Sequence, residues 1–154
     1  MAYDMNINRR HLLGNTLAVT ATALLGTSRV FATAENMDAA IKSIFGEVEI
    51  GTGSLTLTVP EIAENGNSVP VSVSVDSPMT NDAYVDSVAI FTDRNPNPEV
   101  ATFRFTLASG EAFATTRMRL VETQNVVAVA KLSDGTFVSD TRYVKVTIGG
   151  CSSG

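Results

Sequence analysis

The chain has 154 residues, 44% hydrophobic and 6% aromatic with no Trp, which fits one folded domain with or without a removed end and excludes an intrinsically disordered protein. Its formal charge of −5 argues against a phosphate-backbone ligand, because nucleic-acid binding rests on basic patches that release counterions. A single cysteine excludes an internal disulfide, so the apolar core must hold the fold by itself.

The first segment, residues 1–34, reads as an export signal that is removed. It has a basic start, an apolar stretch from Leu12 to Leu25, and an A-x-A site at Ala32-Thr33-Ala34. The apolar stretch falls short of the roughly 20 residues needed to span a bilayer, so no membrane anchor is expected. Arg9-Arg10 followed by His11-Leu12-Leu13 resembles the twin-arginine signal, which exports proteins already folded, although Asn8 and Leu12 stand where Ser or Thr and Phe are usual. The mature protein is then expected to begin near Glu35 and to work in a bacterial periplasm. It would carry 8 basic and 15 acidic residues, a net of −7.

His11 leaves with this segment, so the mature chain has no imidazole and one thiol. Ser-His-Asp and Cys-His nucleophile arrangements are excluded on that basis, as is nearly every zinc, copper or haem site. No D-x-[DN]-x-[DN]-G calcium loop is present either. No cofactor and no metal are expected.

Asn36 to Phe45 places Met37, Ala40, Ile41, Ile44 and Phe45 at helical spacing and stops at Gly46, which predicts one short amphipathic helix. The period then changes to two. Strands are predicted over Ser54–Val59, Val69–Val75, Tyr84–Phe91, Val100–Leu107, Phe113–Val121, Asn125–Leu132 and Tyr143–Ile148. Turn signals separate them at Asn65-Gly66-Asn67, Ser77-Pro78, Asn95-Pro96-Asn97-Pro98, Ser109-Gly110 and Asp134-Gly135. About seven short strands after one helix predict an all-β fold, an immunoglobulin-like β-sandwich over residues 35–148, without the usual Cys-Trp-Cys core.

Arg104, Arg117 and Arg119 alternate with apolar residues, so they point outward, either to guide a small anion or acidic partner or, as the more ordinary reading, to solvate strand edges. The loop Thr92–Glu99, "TDRNPNPE", is either a recognition loop or, more often for such a run, a rigid turn. The carboxylates are scattered along the chain, with no pairing that the sequence alone can show.

Cys151 follows the last predicted strand, in the tail "GGCSSG" at residues 149–154. Such a tail cannot bury a thiol as a small hydrophobe. Gly149 and Gly150 add backbone freedom and no bulk, and an extended chain reaches about 10 Å from Ile148 to Cys151, so residues 149–154 read as a flexible arm that presents a thiol. With no histidine beside it, chemistry on Cys151 must come from another protein. The residues leave two readings open: a covalent carrier, or a disulfide to another chain.

The Arg9-Arg10 signal, "VPEIAENGNSVPVSVSVDSPM" (Val59–Met79), "NPNPEVATFRFT" (Asn95–Thr106), "ATTRMRLVETQNVVAVAKLSDGTF" (Ala114–Phe137) and the tail "VKVTIGGC" (Val144–Cys151) together resemble the SoxY family of the bacterial Sox thiosulfate-oxidation system. Members of that family end in a Gly-Gly-Cys-Gly-Gly arm. The resemblance implies a non-enzyme that binds thiosulfate-derived sulfur covalently on Cys151, with Gly149 and Gly150 as the swivel. It implies a heterodimer with SoxZ, and transient visits to the c-type haem protein SoxAX, the hydrolase SoxB and the sulfane dehydrogenase SoxCD. One departure is visible: Ser152-Ser153-Gly154 stands where the family has plain glycines, which bears on which partners admit the arm. Two alternatives remain: a SoxYZ-like carrier in another periplasmic oxidation pathway, or a non-carrier sandwich module that dimerises through Cys151.

Overall fold

The computed structural model describes residues 34–150. The expected signal, residues 1–34, lies outside this range apart from Ala34, and Cys151, Ser152, Ser153 and Gly154 lie outside it too.

Helix α1 spans Ala34–Phe45, close to the predicted limits. Gly46 ends it: its φ of 82° is a conformation that favours glycine, and its N–H donates to Lys42 O at 2.8 Å, closing the last turn. The remaining elements are β1 (Ile50–Thr52), β2 (Leu55–Thr58), β3 (Ile62–Asn65), β4 (Val69–Val75), β5 (Val85–Thr92), β6 (Glu99–Arg104), β7 (Ala112–Met118), β8 (Gln124–Leu132) and β9 (Phe137–Ile148). A short 3-10 turn, Leu107–Ser109, follows β6 and takes over the end of the predicted Val100–Leu107 strand.

The strands form two sheets. One has the order β1-β9-β8-β5-β6, with β3 also paired to β9, and the other has the order β2-β4-β7. This is the expected immunoglobulin-like β-sandwich, mostly strand with one short N-terminal helix. The seven predicted strands are present, and β1 and β3 are additions. Both pair in parallel with β9, at Ile50↔Phe137 and Ile62↔Lys145, and β9 begins earlier than predicted, at Phe137. "IGT" and "IAEN" are too short to show a period, and the polar start of β9 reads as a loop; a neighbouring strand makes each of them regular.

The main core lies between the sheets. Alternate residues of β4 (Val69, Val71, Val73, Val75) face Val88 and Ile90 of β5 and Val126, Ala128 and Ala130 of β8. Each large side chain removed from water here contributes roughly 1.5–3 kcal/mol. β5 and β8 are buried on both faces, because α1 covers the outer side of the large sheet. Ile41 of α1 packs there with Ala89, Phe91, Val129 and Phe137, supported by Met37, Ala40 and Phe45. Phe45 meets Phe91 and Phe137 edge-on, with ring centroids 6.5 and 5.4 Å apart.

β2 is an edge strand of the small sheet, and side chains of β9 close part of that edge. Asp140 Oδ2 accepts from Leu57 N at 2.9 Å, while Arg142 Nε donates to Leu57 O at 3.2 Å. Arg142 Nη2 also donates to Asp140 Oδ2 at 2.9 Å, so the pair is held in place. An acid and a base thereby occupy a backbone donor and acceptor that a foreign strand could otherwise pair with, and they join the two sheets.

Candidate functional site

Parallel pairing between β3 and β9 runs as far as Asn65↔Ile148 and brings the turn after β3 against the end of β9. Gly66 N donates to Ile148 O at 2.7 Å. Residues 149 and 150 stay against the fold. Gly150 is buried, and its N–H donates to Leu120 O at 2.8 Å. Leu120 N in turn donates to Gly66 O at 2.8 Å. Residues 148–150 are therefore seated between the Gly66 turn and the segment Arg119–Val121 that follows β7.

Three glycines make this approach possible. A Cβ on Gly66 would run into Leu120 O, and one on Gly149 into Val121 O. A Cβ on Gly150 would lie 2.5 Å from Arg119 Cγ and 3.0 Å from Gly66 O. None of these glycines has a φ that excludes other residues, so the requirement is for room. Gly149 and Gly150, the expected swivel, are placed in a close backbone contact. Cys151 itself lies outside the described residues, bonded to the seated Gly150.

The loop between β5 and β6 supports the seat from the other side. Asn95 Nδ2 donates to Arg119 O at 2.7 Å, and Asn95 Oδ1 accepts from Val121 N at 3.1 Å and Gln124 Nε2 at 2.9 Å. Gln124, 2% exposed, also accepts from Arg94 N at 3.1 Å. Asp93 takes Asn125 N at 2.9 Å and Asn125 Nδ2 at 2.8 Å on its two carboxylate oxygens. Asp93 and Asn95 thus turn inward and brace the loop as in a rigid turn, while Arg94, Asn97 and Glu99 stay exposed.

The predicted outward arginines are all exposed. Arg117 donates through Nε to Ser68 Oγ at 2.7 Å and through Nη2 to Ser68 O at 3.3 Å, beside the Gly66 turn. The stem of Arg119 lies over Gly150. Arg104 ends β6 and is exposed there. Among the described residues no three His, Cys, Asp or Glu side chains gather as a metal site needs, and no helix is long and apolar enough to cross a membrane.

A family model described as "Sulfur oxidation protein SoxY" matches residues 41–151, from the middle of α1 to Cys151. The chain belongs to the SoxY family. Among solved structures, the sulfur carrier protein SoxY from Chlorobium limicola f thiosulfatophilum is similar at 36% identity and a TM-score of 0.63, covering 75% of this chain and 100% of that one. The superoxide reductase (neelaredoxin) of Ignicoccus hospitalis matches at 16% identity and a TM-score of 0.55, covering 75% and 94%. That of Nanoarchaeum equitans matches at 12% identity and 0.54, covering 62% and 100%. These two likenesses show the fold alone. No curated protein matches the chain.

The SoxY match includes Gly66, Asn95, Arg119 and both seated glycines. Sequence reasoning missed Gly66 as a packing residue and Asn95 as a support. "NGN" gives only a turn signal, and no local pattern shows that a carbonyl from residue 120 will approach it. The glycine pair at 149–150 was the available hint, since glycine in or beside a strand often marks a close backbone approach.

Proposed function

We propose that this chain is a periplasmic sulfur carrier in thiosulfate oxidation, with Cys151 as the covalent attachment point and no catalysis of its own. The observation that carries this reading is the SoxY-family match, which extends to Cys151 itself. The 36% identity to a sulfur carrier over that protein's whole length supports it.

In the proposed cycle the Cys151 thiolate joins the outer sulfur of thiosulfate, forming an S–S bond and giving two electrons to a c-type haem partner of the SoxAX kind. Water then attacks the sulfone sulfur with a SoxB-like hydrolase, releasing sulfate and leaving a persulfide on Cys151. A SoxCD-like dehydrogenase removes electrons from the remaining sulfur as water adds oxygen to it, and a second hydrolysis restores the thiol. The carrier holds each intermediate while partners supply base, water and oxidant. A SoxZ-like subunit completes the assembly, and its joint export gives the twin-arginine route a physical motive. Gly149 and Gly150 form the base of the arm, and Ser152 and Ser153 set the width that a partner channel must admit.

Intact mass before and after a reductant tests the reading, on protein from thiosulfate-grown cells. Expected are reducible adducts of one thiosulfate or one added sulfur on the tail peptide. Full thiosulfate oxidation by cells carrying Cys151→Ser, or a doubled mass as the sole modification, overturns it.

A further inference from the structure

Leu120 is held by its backbone neighbours from two sides. Its own N–H and C=O go to Gly66 O and Gly150 N, while the flanking Arg119 O and Val121 N both go to Asn95. The amide orientation of Asn95 is fixed by its partners, since one is a carbonyl and two are N–H donors; the flipped amide would oppose donor to donor. Gln124, whose Nε2 also donates to Glu122 O at 3.1 Å, holds Asn95 in turn.

We propose that Asn95 is a positioning residue for the thiol on Cys151: it fixes the Arg119–Val121 ledge on which Gly149 and Gly150 seat, and so sets the point from which the thiol is presented. What the thiol does rests on the carrier reading above; the seat itself does not.

The fold is expected to survive loss of this contact, since Gln124 Nε2 keeps its bond to Glu122 O. The Leu120 side chain is fully buried and keeps the segment attached to the core when Asn95 is changed. Arg119 O and Val121 N lie near the surface, where water replaces a lost partner at small cost. Loss of Asn95 therefore loosens the ledge and leaves the sandwich intact.

The test uses the full mature chain, with amide exchange followed by NMR and Cys151 alkylated by iodoacetamide. Asn95→Ala is expected to speed exchange of the Gly150 amide at least about tenfold, while the Ala89 and Val129 amides stay within about twofold of wild type. The rate of Cys151 alkylation is expected to change in the same variant, because the thiol is then carried from a looser base. Gly149→Ala, which unseats the tail directly, should give the same two changes. The double variant should go no further than either single one, because both act through one seat. Asn95→Asp keeps the two accepted bonds but sets a carboxylate oxygen against Arg119 O, acceptor to acceptor, so it should also speed Gly150 exchange and serves if the alanine variant fails to fold.

An unchanged Gly150 amide in either folded variant overturns the proposal, as do effects that multiply in the double variant. Full thiosulfate oxidation with Cys151→Ser removes the carrier reading but leaves these rates, and the seat, unaffected.

Discussion

A glycine is required either for an unusual φ or for room, and the two demands fail differently when a methyl is added. Gly135, at φ 84°, meets nothing within contact range and belongs to the first kind. Gly66 and Gly149 belong to the second, since the obstacle is a carbonyl oxygen that cannot turn aside. Beside Gly135, Asp134 Oδ1 accepts from Thr136 Oγ1 at 2.6 Å and from Thr136 N at 2.9 Å. The Thr136 hydroxyl, and after it the Thr136 amide, hold the Asp134 carboxyl below its ordinary value of 3.8. A depressed carboxylate stabilises the folded state above its unfolded pKa, and that contribution is lost as pH falls through the folded pKa. This turn is therefore expected to be insensitive to pH near neutrality and to weaken only in acid, below the ordinary carboxylate value. In Thr136→Val the carboxyl-carbon NMR titration of Asp134 should move up toward that value; an unmoved midpoint refutes the assignment.

At the scale of elements, α1 is an addition to the sandwich that makes the large sheet two-sided. The sequence signal for that role is in the strands. Val88-Ala89-Ile90-Phe91 has no polar alternation, and all four residues are fully buried. Such a run needs a cover on both faces, and α1 supplies the second through Ile41 and Phe45. Removing the ring of Phe45, itself only half-buried, deprives Phe91 and Phe137 of their edge contacts. Phe45→Ala should lower unfolding free energy by about 2 kcal/mol, read as a shift of the urea midpoint at unchanged slope. A markedly smaller slope would instead show that α1 detaches before the sheets separate.

For the molecule as a whole, β9 is the element on which the parts converge. It pairs with β8, β1 and β3, ties β2 through Asp140 and Arg142, and delivers Gly149 and Gly150 to the seat. The tie lies on β9 and the seat directly follows it, so the position of Gly149 and Gly150 is referred to both sheets. Asp140→Ala leaves the part-buried Leu57 N–H without its acceptor, at a cost of about 1–3 kcal/mol. Asp140→Asn, which retains an acceptor oxygen, should lose less than half of that in thermal or urea unfolding. Equal losses in the two variants would show that charge, rather than the bond to β2, is what matters.

Much of the fold was legible from residue order because helix and strand periods are local. "NMDAAIKSIF" and the alternating Val, Thr and Phe runs carry their partners' requirements in their own spacing. The singular thiol at Cys151 and the family likeness were equally legible, since a count and a motif need no coordinates. β1, β3 and the first half of β9 were not, because each is stabilised by a strand distant in sequence. Residues 149 and 150 show the division most clearly. Sequence by itself determined that they are glycines beside a lone cysteine, and their chemistry allows freedom or close approach equally. Only the tertiary structure decided for close approach at these two positions, by bringing Gly66, Leu120 and Val121 against them; a contact between such distant backbone segments leaves no periodic signal in any one of them.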